Sequence, residues 1–165
     1  MKKTIIYISL ILVLGCGGFD EMIDLGQGYF YFGEGTPSNY IFKGKKEKSG
    51  FEWTIYKRVI EANVTSFTFD NDYILVFQEP SHSAAADAVV YQNYKLPLNS
   101  EAEIKAELQK ADSIIKKSSY WNKIFSHKHN YYIIDKKHDK IYGPLTKKTF
   151  LQKKDSIGIS KKLKL

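Results

Sequence analysis

Hydrophobic positions fall in short runs through the first two thirds of the chain, switch to a helical period, and then return to short runs. Gly28-Tyr29-Phe30-Tyr31-Phe32-Gly33 is an aromatic run bounded by glycines and predicts a strand. Residues 39–43 predict a second strand, ended by the polar stretch 44–50. Residues 51–60, rich in aromatic and β-branched side chains, predict a third. Residues 64–69 alternate, with Val64, Ser66 and Thr68 on one side and Thr65, Phe67 and Phe69 on the other. Asp70-Asn71-Asp72 is turn chemistry, because Asn and Asp tolerate left-handed backbone and close Asx-turns. Tyr73 to Gln78 then forms a nearly continuous apolar run, as in a central strand. Residues 64–78 therefore predict a hairpin. Between Pro80 and Leu98 the pattern is less regular. Ala84-Ala85-Ala86 reads as a short helix or a loop, and residues 89–94 as an edge strand ended by Pro97.

The helical period is clearest after residue 100. Ser100 with Glu103 three positions on forms a capping-box pattern. Ile104, Leu108, Ala111 and Ile115 make a single apolar stripe, and Lys105, Glu107, Lys110 and Lys116 fall off it. A helix is expected over 101–117, with Trp121, Ile124 and Phe125 closing the core from a further turn. A second hairpin follows: residues 130–134, a polar turn at 135–140, and a return strand at Ile141-Tyr142 stopped by Gly143-Pro144. Thr146 can cap a short helix to about Lys154, with Phe150 and Leu151 facing inward. The last seven residues are expected to fray. These elements predict an α+β fold: an antiparallel sheet of about five to seven strands, one long amphipathic helix packed on it, and a short C-terminal helix.

The N-terminus departs from this pattern. Lys2 and Lys3 precede an almost purely apolar run from Thr4 to Leu14. A spanning helix needs about 20 such residues, so this run has the length of a signal-peptide core rather than of a membrane span. It ends in Val13-Leu14-Gly15-Cys16. That ending resembles the lipobox of bacterial lipoproteins, in which a small residue precedes a cysteine that becomes acylated and is the first residue of the mature chain. The resemblance implies a signal peptide at 1–15, a lipidated tether at 16–24 and a single globular domain at 25–165. It implies lipid (diacylglyceryl, usually with a further palmitate-like acyl chain) on Cys16 and a place in the bacterial cell envelope. That place is the outer membrane if the cell has two membranes, otherwise the outer face of the cell membrane. Cys16 is the only cysteine. Lipidation explains an unpaired thiol in an exported protein, and no disulfide can stabilise the fold.

The stretch Tyr131 to Phe150, with Ile133-Ile134-Asp135, a turn, and Ile141-Tyr142-Gly143-Pro144, resembles the C-terminal hairpin and helix of an uncharacterised family of small bacterial lipoproteins. The family has no established activity, so the resemblance implies a compartment and a fold type but no reaction.

Charge changes one part of this picture. The chain carries a formal +7, unevenly spread. Residues 16–112 are net acidic and residues 113–165 strongly basic. Lys-rich segments can bind nucleic acid, but an exported protein seldom meets it. The expected reading is a solvated basic face, balanced in part by the acidic half of the same fold. An anionic envelope surface is the other reading.

Candidate chemistry is sparse. His127-Lys128-His129 puts two rings on one face of a strand, half of a metal site without the remaining ligands. Ser81-His82-Ser83 with Asp87 has the residue types of a hydrolase triad but no nucleophile-elbow motif. Asp70 and Asp72 sit in a turn, where a glycosidase acid would lack the burial that raises its pKa. Asp135 and Asp139 are needed by their own turn. Neither a catalytic residue, a metal, a cofactor nor a small-molecule substrate is therefore expected. Tyr29, Phe30, Tyr31 and Phe32 remain as a candidate binding platform: a strand sends two rings to each face, and they stack a ligand if one face is open but are core if both are covered. The expected function is a lipid-anchored, non-catalytic binding module with an envelope protein or glycan as partner. The alternative is an inhibitor or immunity-type lipoprotein acting against a toxin or lytic enzyme.

Overall fold

A computed structural model describes residues 21–33, 39–47, 53–93 and 100–165. Its strands form two antiparallel meanders. The first sheet orders β1 (Glu21–Gly26), β2 (Tyr29–Gly33), β3 (Tyr40–Lys46) and β4 (Trp53–Ile60); the second orders β5 (Val64–Phe69), β6 (Tyr73–Gln78), β7 (Asn130–Asp135) and β8 (Lys140–Leu145). The single sheet of five to seven strands expected from sequence is thus two sheets of four strands among the described residues. Strand β1 lies in and beyond the stretch read as a tether: Glu21 to Asp24 pair with Gly33 to Phe30. Only Leu25 in β1 is fully buried, so its sequence carries little strand signal.

The two sheets share one core. Leu25, Tyr29, Tyr31, Ile41 and Ile60 of the first meet Val64, Ile74, Val76, Tyr132 and Ile134 of the second. Tyr31 and Phe67 pack ring to ring across it, with centroids 4.6 Å apart. Strict alternation puts Val64 and Phe67 on opposite faces, yet both pack here, because the β5–β6 register shifts between Val64 and Ser66. An extra residue in one strand flips the parity of everything after it.

Strands β6 and β7 are central and buried on both faces. Leu75 and Ile133, on the reverse side, pack with Phe150, Ile159 and Leu163. Phe150 belongs to α4 (Lys147–Ser156), whose first turn is capped by the Thr146 hydroxyl accepting from Thr149 N. Leu151, expected inward, is 48% exposed; it is one position on from Phe150 and so turns about 100° away. The last residues do not fray. Ile159 and Leu163 are buried against the sheet, and the Lys154 ammonium donates to the Leu163 carbonyl. Gly143-Pro144 does not stop β8, which runs to Leu145. As the edge strand of its sheet, β8 has a side where a missing N–H costs no ladder bond.

Between β6 and β7 the chain inserts α1 (His82–Asn93), α2 (Glu101–Lys117) and α3 (Ser119–Ile124). Residues 89–93, expected in an edge strand, are helical. The alanines favour helix, and Ala85, Val89 and Val90 bury themselves against Ala111, Ile115, Trp121 and Ile124. Helix α2 has the expected bounds and its Ser100 cap. Its apolar stripe is only half used: Ala111 and Ile115 are buried, whereas Ile104 is 43% and Leu108 36% exposed.

A polar network joins this insertion to the sheets. Asn130 Nδ2 donates to Ile124 O (2.8 Å) and to Gln78 Oε1 (2.9 Å). Gln78 Nε2 donates to Glu61 O at 2.7 Å, and the Tyr132 hydroxyl donates to Gln78 Oε1 at 2.9 Å. Gln78 and Asn130 are fully buried, where unpaired amides would each cost about 1–3 kcal/mol. The network therefore fixes how the end of β4, the end of β6, α3 and the start of β7 meet.

Candidate binding site

A pocket opens beside that network. It lies where the end of β4 faces α3 and the β7–β8 hairpin, and it has a volume of about 220 Å³. Ile60, Ile124, Ile141 and Pro144 supply apolar walls, and Lys57, Arg58 and Lys123 bring cations. Glu61 lines it as the one acidic residue.

Glu61 follows the last residue of β4 and is 6% exposed. Its Oε2 lies 3.7 Å from Arg58 Nη1 and has no hydrogen-bond partner. Arg58 is drawn the other way as well, its guanidinium 4.2 Å from the centre of the Tyr40 ring. The β3–β4 register explains this: it shifts so that Phe42 pairs with Arg58 and Ile41 with Ile60, leaving Val59 bulged. Burial raises the Glu61 carboxyl above its ordinary pKa, and the Arg58 charge and hydrogen bond only partly oppose it. Burial and then the Glu61 charge push the Tyr120 hydroxyl up. Tyr132 is raised by burial, then by Tyr120 and Glu61, against a hydrogen bond with Asn130. An acid and two phenols with mutually perturbed pKa values in one concave site mark it as a functional candidate.

A family model described as "Protein of unknown function (DUF3997)" matches residues 27–165. The chain belongs to the DUF3997 family. The match starts in the β1–β2 turn and covers β2 to α4, so every residue of the pocket lies inside the DUF3997 region. No curated protein and no solved structure matches the chain.

The other residues singled out in sequence are dispersed over the DUF3997 fold. Cys16 lies outside the described residues. Tyr29, Phe30 and Tyr31 are 0%, 6% and 8% exposed. Tyr29 and Tyr31 belong to the inter-sheet core, whereas Phe30 packs with Tyr40 and Phe42 on the other face, with Phe32 partly buried beside them. Both faces are covered, so the four rings are core and not an open stacking platform. Tyr29 still has a polar handle: its hydroxyl donates to Asp139, which also pairs with Lys43 at 2.7 Å.

Ser81, His82 and Asp87 do not converge. The Ser81 hydroxyl accepts from Ala84 N at the start of α1, His82 stacks on Phe125 with centroids 3.9 Å apart, and Asp87 is exposed. His127 and His129 precede β7 rather than sharing a strand face; His127 Nδ1 lies 2.9 Å from the Ser126 hydroxyl, and His129 lies 3.4 Å from Glu79. Asp70 accepts from Asp72 N and Tyr73 N in its turn. Asp135 accepts from the backbone and ring of His138 at 3.1 and 2.8 Å. Burial raises its pKa, but those His138 bonds outweigh it and hold the carboxyl below its usual range. Among the described residues no group of three His, Cys, Asp or Glu is placed to hold a metal, and no helix is long and apolar enough to cross a membrane.

Sequence reasoning missed Glu61, Arg58 and Tyr120. The pocket draws on residues 57–61, 120–124, 132 and 141–144, so no contiguous motif carries it. The one local signal is an acid set between Ile60 and Ala62.

Proposed function

We propose that this chain is a lipid-anchored cell-envelope protein that acts by binding, without catalysis. The observation that carries the reading is the order Lys2-Lys3, the apolar run 4–14, Gly15 and the only cysteine, Cys16, followed closely by β1 at Glu21. Acyl chains on Cys16 contribute about 0.8 kcal/mol per buried CH₂, so two or more hold a protein on a membrane stably. A fold that starts within a few residues of the anchor is held close to the bilayer, and its partners are those that reach the envelope surface. The scattered positions of Ser81, His82 and Asp87 support binding over hydrolysis.

Fractionation tests this reading. The wild type is expected with membranes, and Cys16→Ala is expected as unprocessed precursor or soluble protein. Equal membrane association of the two forms would rule out the lipid anchor.

A further inference from the structure

The pocket beside Glu61 combines two demands that few ligands meet together. Its carboxyl is nine-tenths buried, and Oε2 accepts no hydrogen bond. A buried acceptor left empty is costly, and native proteins fill such positions with a donor. Around it the lining carries Lys57, Arg58 and Lys123, with Lys57 and Lys123 exposed. Those amines ask for an anion. A simple anion is repelled by Glu61, and a metal cation is repelled by the three basic residues. A ligand with hydroxyl donors at one end and negative charge at the other satisfies both. The apolar wall of Ile60, Ile124, Ile141 and Pro144 suits the C–H face of a polyol. The volume of about 220 Å³ lies below the range of drug-sized sites, which starts near roughly 300 Å³, so the occupant is small.

We propose that this pocket binds a small polyhydroxy anion, with Glu61 accepting from its hydroxyls and Lys57 and Lys123 pairing with its charge. The site deepens the binding reading above but does not depend on the anchor: its residues lie in the folded domain whether or not Cys16 is acylated. Tyr120, whose hydroxyl can donate or accept, is placed to close the hydroxyl end.

The test is methyl NMR of the full chain in detergent micelles, titrated with glycerol 3-phosphate and with glucuronate. The proposal expects saturable shifts at Ile60, Ile124 and Ile141. Glycerol, lacking charge, and inorganic phosphate, lacking carbon-bound hydroxyls, should each bind about tenfold more weakly, the value of one charge-assisted contact. Glu61→Gln, which keeps the side chain's size, should weaken glycerol 3-phosphate about tenfold while leaving the methyl spectrum of the free protein folded. The Lys57→Ala/Lys123→Ala double variant should weaken both probes and leave glycerol unaffected. Absence of shifts with both probes would overturn the proposal, as an ordered water then fills the site. So would phosphate binding as tightly as glycerol 3-phosphate, or an unchanged affinity in Glu61→Gln.

Discussion

The Lys136 ammonium donates to the Leu25 carbonyl at 2.6 Å, tying the first residue after the second sheet's β7 to a buried residue of β1. It also donates to the Asp70 carbonyl in the β5–β6 turn. Lys136 is 6% exposed. Burial lowers its pKa, and Asp70, Asp72 and Asp24 oppose that shift. A lysine from the basic third thus sits among acids from the acidic part, one concrete case of the charge complementarity expected from sequence.

Lys136→Met keeps the stem but leaves two carbonyls without their donor. Relief of the buried charge offsets part of that loss. We expect a net destabilisation of roughly 2 kcal/mol, or about 6 °C in melting temperature for a domain of this size. Thermal unfolding of the purified variant checks it.

The C-terminal tail should act as core. Truncation after Gly158 removes Ile159 and Leu163 from Leu75, Ile133 and Phe150. Burying an aliphatic side chain is worth about 1.5–3 kcal/mol, so the truncated chain should lose roughly 3–5 kcal/mol, an upper estimate given a compact unfolded state. Urea unfolding measures the loss. A stability equal to the full chain would mean the tail adds nothing to the core.

Gly143 has φ +146°, and a Cβ there would stand 2.3 Å from a Tyr132 ring carbon. Neither the backbone nor the ring can yield cheaply, because the Tyr132 hydroxyl is bonded to Gln78. Gly143→Ala should cost about 3 kcal/mol through strain and overpacking. Near-ultraviolet circular dichroism should show the tyrosine environment disturbed below the melting point.

Glu61 gives a pH signature. Its folded pKa is raised, so the folded state holds its proton to higher pH than the unfolded state. The contribution is fully present below the unfolded carboxylate pKa, near about 4.3, and is lost as pH rises through the folded value. Glu61→Gln removes that loss. The variant should melt higher than wild type at neutral pH, with the difference shrinking toward zero as pH falls below the ordinary carboxylate range. A variant that melts lower at neutral pH would show that the Arg58 pairing outweighs burial.

The sequence made the local elements legible where one residue type carried the signal. Ser100 and Thr146 cap helices as expected, the 64–78 hairpin turns on Asp70, and 101–117 is helical. It misled where tertiary contact overrode local preference. Val89 and Val90 favour strands but are packed in α1 against α2. The division into two sheets was not legible, because it depends on which strands pair, and β4 and β5 are neighbours in sequence without being neighbours in a sheet. The Glu61 pocket was illegible for the same reason: its acid, tyrosines and lysines come together only after β4, α3 and β7 are docked by Gln78 and Asn130.

The account rests most heavily on a lipid-held Cys16. Intact mass spectrometry of the protein extracted from its native membrane addresses that directly. The account predicts a chain lacking residues 1–15 and carrying acyl mass on an N-terminal Cys16. A chain starting at Met1, or one with a free Cys16 thiol, would contradict it.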